Sequence, residues 1–194
     1  MAKHHLHSLT PLGAKEPVMV EVAGTKITEM VDIALASIAA RYGHEVDCQN
    51  ALAKMIGAPA PDVGKISGSG RPGGDVAAFW TGPDQWFVQA PFGEYEEIAA
   101  LCAAEFGPSA SVVELTDGWC RFALAGPDMR RVLSLLCAID IRGLAPGDAS
   151  RTVIEHVGCF VLCTAPDEVH ILGPRSSAGS LHHALIAAAK SAPY

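Results

Sequence analysis

Charge is scarce in this sequence of 194 residues. Asp, Glu, Lys and Arg make up 18% of it, and the basic kind is the scarcer, 14 against 21 acidic, for a formal net charge of −7. A nucleic-acid binder needs a basic face, so the balance argues against that class of partner. Paired cysteines are missing as well: Cys48, Cys102, Cys120, Cys137, Cys159 and Cys163 contain no CxxC spacing. That removes the common zinc-knuckle and thiol-redox signatures. No apolar run reaches the length of about 18 residues that a membrane-spanning helix needs. The first residues carry His4, His5, His7, Lys3 and Pro11 without an apolar stretch. They do not read as a secretory signal, and a cytoplasmic address is the default expectation. Nor is there an HExxH, a GxSxG or a P-loop.

What the sequence does have is apolar mass, 49% of residues. Either the core is large, or some apolar surface belongs to a partner. The six cysteines lie mostly inside apolar periodic segments, so reduced core thiols are expected, with a disulfide framework or a metal site as the alternatives.

Residues 119–137, WCRFALAGPDMRRVLSLLC, carry the clearest local pattern. Cys120, Phe122 and Leu124 alternate with Trp119, Arg121 and Ala123, which is the period of a strand with two distinct faces. Gly126 frees the backbone at a corner, and Pro127 pre-sets φ for a helix start. Met129, Val132, Leu133 and Leu136 then recur at i, i+3, i+4 and i+7, one apolar helical face. The same order of strand, Gly-Pro corner and helix returns at Gly173-Pro174, followed by Leu181, Leu185 and Ala188.

Elsewhere the pattern gives a helix over 45–56 closed by Gly57, a hairpin over 76–80 and 85–89, a helix over 95–106, and strands over 112–115, 152–156, 159–164 and 169–172. Residues 28–42 fit helix and strand about equally, and 62–75 form the main loop. The expected fold class is α+β, two ferredoxin-like modules side by side. Its divisions are an extended arm over 1–17, a first module over 18–116 and a second over 117–194, in a single compact domain overall.

Several residues invite a functional reading. GSGRPG at 68–73 matches GxGxxG, but no apolar strand precedes it, Pro72 interrupts it and a strand follows, so it lacks the context of a dinucleotide site. Cys159 and Cys163 share one strand face near His156, an arrangement better suited to packing than to zinc. His182 and His183 suit surface or capping roles. Arg175 and Ser176 open the last helix and suit an anion, a partner carboxylate or capping. Trp80, Trp86 and Phe87 form either a core hairpin or an aromatic face for a ligand or subunit. No catalytic, cofactor-binding or metal-binding residue is assigned.

Taken in order, FWTGPDQWFV (79–88), ELTDGWCRFALAGPDMRRVLSLLCAIDI (114–141), the Pro146-Gly147 loop and VHILGPRSSAGSLHHAL (169–185) resemble the gamma subunit of heterotetrameric sarcosine oxidase over about residues 30–190. The resemblance implies a fold like the amino-terminal, folate-binding part of the glycine-cleavage aminomethyltransferase, and it favours a strand over 31–41. It further implies a complex of alpha, beta, gamma and delta subunits, with alpha as the direct contact. That complex oxidises sarcosine to glycine, with formation of peroxide and 5,10-methylenetetrahydrofolate. On this view FAD, FMN and NAD belong to alpha and beta and zinc to delta, and no cofactor belongs to this chain. Residues 173–180 contain no carboxylate, whereas general acid–base work on a folate amine would use one. A retained scaffold without the reaction is the expectation.

Overall fold

The computed structural model describes residues 7–68 and 76–192. It begins with a hairpin, β1 (Met19–Val22) and β2 (Thr25–Met30). Ala23 and Gly24 turn it with φ of 50° and 76°, both left-handed, as the right-handed twist of two-residue hairpins demands. Then follow β3 (Ile33–Ala40), α1 (Glu45–Ile56), β4 (Ile66–Gly68), β5 (Ala77–Gly82), β6 (Gln85–Pro91), α2 (Ile98–Phe106) and β7 (Ala110–Glu114). The second half contains β8 (Trp119–Ala125), α3 (Met129–Leu136), β9 (Ala149–Ile154), β10 (Val157–Ala165), β11 (Glu168–Pro174) and α4 (Ala178–Ser191).

Strands β3 to β7 pair in the order β4-β5-β6-β3-β7, antiparallel throughout. Setting aside the short edge strand β4, this is the split β-α-β-β-α-β unit expected from the sequence. The other sheet runs β1-β2-β8-β11-β10-β9. Setting aside its edge strands β1 and β9, it is a second such unit with one change: the strand beside β8 comes from the start of the chain. Lys26 to Met30 pair with Ala125 to Arg121.

That pairing corrects the first module's expected limits of 18–116, because β1 and β2 belong to the second sheet. Alternation along a strand says which residues share a face, but not which strand lies alongside. Two smaller corrections follow: β4 lies inside the expected 62–75 loop, and α2 begins at Ile98 rather than at 95. Helix α1 has the expected bounds. It carries Glu45 and Asp47 in its first turn and Lys54 in its last, and Gly57 ends it at φ 67°, so dipole and cap agree with the apolar stripe.

Period-two alternation then builds the layers. Cys120, Phe122 and Leu124 of β8 pack with Met129, Val132 and Leu133 of α3 and with Leu181 and Leu185 of α4. In the other sheet Ala34, Ala36 and Ile38 meet Cys48, Leu52 and Ile56 of α1 and Ile98, Cys102 and Phe106 of α2. The opposite faces of the two sheets meet each other through Leu35, Phe79, Phe160, Leu162 and Leu172. The order is helices, sheet, sheet, helices.

The two Gly-Pro corners need glycine for different reasons. Gly126 has φ 134°, and a β-carbon there would lie 2.5 Å from the carbonyl oxygen of Gly24. Its corner is pressed against the turn of the first hairpin, where a side chain has no room. At Gly173 an added β-carbon would sit 2.9 Å from Leu181 Cδ2, so its absence lets α4 settle onto the sheet.

Candidate functional site

Where β2 passes into β3, the two sheets part and leave a cavity of about 390 Å³. Ile33, Leu35, Phe92, Trp119 and Leu172 supply apolar wall, and Arg121 contributes a cation. Arg121 sits in β8 between Met30 and Leu172 of the neighbouring strands. It belongs to the strand's second alternating set, the set that faces the other sheet. Its Nη2 donates to Gln89 Oε1 at 2.8 Å, and the residue is 5% exposed. Burial pulls the Arg121 pKa down to about 10, with the Asp32 carboxylate acting the other way. Among the described residues no carboxylate makes an ion pair with it.

One side of the cavity is formed by residues 8–17, and this corrects the expectation of an extended arm. Thr10 N–H donates to Ala14 O, and Gly13 N–H donates back to Thr10 O. Thr10 is buried, and Leu12 packs against the core of the second sheet. Glu29, itself 2% exposed, fastens the segment. Its carboxylate accepts N–H bonds from Leu12 at 2.9 Å and Val18 at 3.1 Å. From the other side Arg175 Nη2 donates to Leu9 O at 2.6 Å, while Nη1 lies 3.4 Å from Asp117 Oδ1. His4 and His5 lie outside the described residues.

Each Glu29 bond is a charge-assisted hydrogen bond, the stronger kind. Glu29→Ala is therefore expected to cost about 2 kcal/mol, since hydrogen bonds to charged groups contribute roughly 1.5–3 kcal/mol each and the freed N–H groups recover part of this from water. Urea unfolding measures the loss, and limited proteolysis should find new cleavage within residues 8–17. An unchanged digestion pattern would show that something other than Glu29 holds the segment.

The remaining candidates are dispersed. Arg175 reaches the rim of the cavity with its guanidinium already engaged, whereas Ser176 is exposed. Cys159 and Cys163 are buried against the helices, and His156 is exposed at the β9–β10 turn. Burial pushes the thiols of Cys48, Cys120 and Cys159 up to about 11 and that of Cys102 to about 12, which leaves little thiolate for nucleophilic work near neutrality. His183 is exposed, but His182 departs from its expected surface or capping role: it is half-buried and stacks on Phe122, with ring centroids 5.4 Å apart. Trp86 is a core residue whose Nε1 donates to Pro61 O at 3.1 Å. The GxGxxG stretch lies almost wholly outside the described residues.

Arg121 and Glu29 carry the site, and sequence reasoning singled out neither. Each is a charged residue in an alternating strand, where the solvent face is the ordinary destination. Only the stacking of the two sheets and the folded arm cover them.

No family profile and no curated protein matches the chain. Solved structures do. A chain of heterotetrameric sarcosine oxidase from Corynebacterium sp. U-96, in complex with pyrrole 2-carboxylate, superposes with a TM-score of 0.76 at 23% identity, covering 90% of this chain and 89% of that one. The glycine cleavage system aminomethyltransferase T from Bartonella henselae superposes with a TM-score of 0.69 at 14% identity. There the match covers 93% of this chain but 57% of the other, so the chain spans a little over half of that transferase. The two ferredoxin-like modules therefore make up the fold that these proteins share, as the sequence led one to expect.

Proposed function

We propose that this chain is a non-catalytic, gamma-type subunit of a heterotetrameric sarcosine oxidase-like complex. The observation that supports it is length. The similarity extends over nearly all of this chain and nearly all of the oxidase chain, whereas it accounts for little more than half of the transferase. On this reading the chain stabilises the assembly chiefly through the alpha subunit, with beta and delta as further members, in the cytoplasm. The complex would turn sarcosine into glycine with peroxide and 5,10-methylenetetrahydrofolate, using FAD, FMN, NAD and zinc held by the other subunits. The absence of a carboxylate from 173–180 fits a subunit that contributes shape rather than proton transfer.

Co-expression tests it. With the neighbouring subunits the chain should co-purify as one stable complex, and alone it should be poorly soluble. A soluble monomer that ignores those subunits overturns the proposal. The shared transferase fold supports a second reading, a stand-alone folate-binding protein. Calorimetric titration of the isolated chain with tetrahydrofolate separates the two, because the subunit reading expects no heat of binding.

A further inference from the structure

Arg121 presents an unusual balance. A guanidinium has five N–H donors, and this one spends a donor on the neutral Gln89 at 2.8 Å. It is 5% exposed and lines a cavity of about 390 Å³. A buried charge is costly unless it is paired and hydrogen-bonded, and here no carboxylate among the described residues pairs with it. The volume falls near the lower end of small-molecule sites, and its walls are largely apolar.

The geometry points to this cavity as the binding site of a small carboxylic acid. The planar fork of Arg121 takes the carboxylate in a bidentate pair, and an apolar body lies against Trp119, Leu172 and Ile33. The charge count favours a monoanion over a phosphate. Arg175 at the rim is occupied by Leu9 O and Asp117. Lys15, also at the rim, is exposed beside the opposite charge of Glu16. Arg121 is thus the one buried cation among the described lining residues, and no anion is bonded to it. The segment 8–17, fixed by Glu29, forms one wall, so the site depends on the folded arm. The inference does not rest on the subunit proposal, since every residue it uses belongs to this chain.

Benzoate is a suitable probe, with benzamide as its neutral isostere and inorganic phosphate as an anion without an apolar body. Each is titrated into the full chain while tryptophan emission and the melting temperature are followed; Trp119 lies in the wall. Benzoate should give a saturable response and raise the melting temperature, with benzamide and phosphate about tenfold weaker or silent. In Arg121→Gln the response to benzoate should fall at least about tenfold, the scale of one lost charge-assisted pair. If that variant does not fold, Ile33→Trp fills the body of the cavity while leaving the guanidinium in place, and it should also abolish the response. Equal binding of benzoate and benzamide, undiminished binding by either variant, or no saturable response in the wild type overturns the proposal.

Discussion

Phe79→Ala should lower the stability of the protein by about 3–5 kcal/mol, the range for an aromatic residue removed from a closed core. Phe79 is wholly buried between the sheets. Its ring meets Phe87 of its own sheet and Phe160 of the other edge-on, both with centroids 5.4 Å away. Phe87 and Phe160 are themselves 5.5 Å apart, and Trp119 lies 5.3 Å from Phe87 and 5.7 Å from Phe160. Removing Phe79 opens a void beside Phe87 and Phe160 and forfeits two edge-to-face contacts, worth roughly 0.5–1.5 kcal/mol each beyond their area. Relaxation is restricted because the neighbours stand on rigid strands from opposite sides. Urea-induced unfolding measures the effect. A loss under about 1 kcal/mol would mean that the sheets cohere without the ring cluster.

The second large effect is a dependence on pH. His170 of β11 faces the gap between the sheets, its side chain 14% exposed and 3.2 Å from Glu168 Oε1. Burial is the main cause that pulls its pKa down to about 4, Arg121 adds to the fall, and the carboxylates of Glu168 and Asp32 oppose it. In the unfolded chain a histidine titrates near 6.5. Between those two values the unfolded state binds more protons, so stability rises with pH across that window and falls as the solution is acidified. The neutral ring's contribution is complete above about 6.5 and is lost progressively toward 4. The size is of the order of 3 kcal/mol, at about 1.4 kcal/mol for each pH unit between the two values. His170→Gln removes this titration. The wild type minus variant difference in unfolding free energy, measured from pH 7 to pH 4, should shrink by that amount. A flat difference would show that His170 titrates in the folded protein as it does in the unfolded chain.

How much of this could be read beforehand depends on the scale of the cause. Helix 45–56, the aromatic hairpin and the strand–corner–helix unit at 119–137 are set by side-chain period and by Gly and Pro, all within a dozen or so neighbouring residues. Their places were legible. The partner of β2 was not, because Ile27 would read as the inward residue of a strand in either sheet; what selects β8 is the fit of the Gly126 corner against the turn at Gly24. The folded arm was illegible for a similar reason. Its polar residues suggest solvent, whereas the distant Glu29 takes the N–H groups of Leu12 and Val18. Arg121 lies within the segment 114–141, and its local sequence does not set it apart from a solvent-facing strand residue. On a strand covered on one side, the alternate face is wet. In this protein both faces of β8 are covered, and that follows from stacking two sheets rather than from anything in residues 119–125. The place of Arg175 at the start of the last helix suits an anion, and the structure commits it to the protein's own Leu9 and Asp117.

The hairpin at the start of the chain is made first and finds its place late. On a growing polypeptide, β3 to β7 are complete once residue 114 has emerged, and they can pair among themselves. Residues 19–30 must wait for β8, with Ile27 paired to Leu124. So non-local a pairing is slow to form, and it leaves an unpaired edge exposed in the meantime. The same borrowing makes the two halves inseparable. A cut near residue 117 would leave the carboxy-terminal fragment with β8 as a bare edge and the floor of its core uncovered. The chain is thus clasped, its beginning closing a sheet that its end builds.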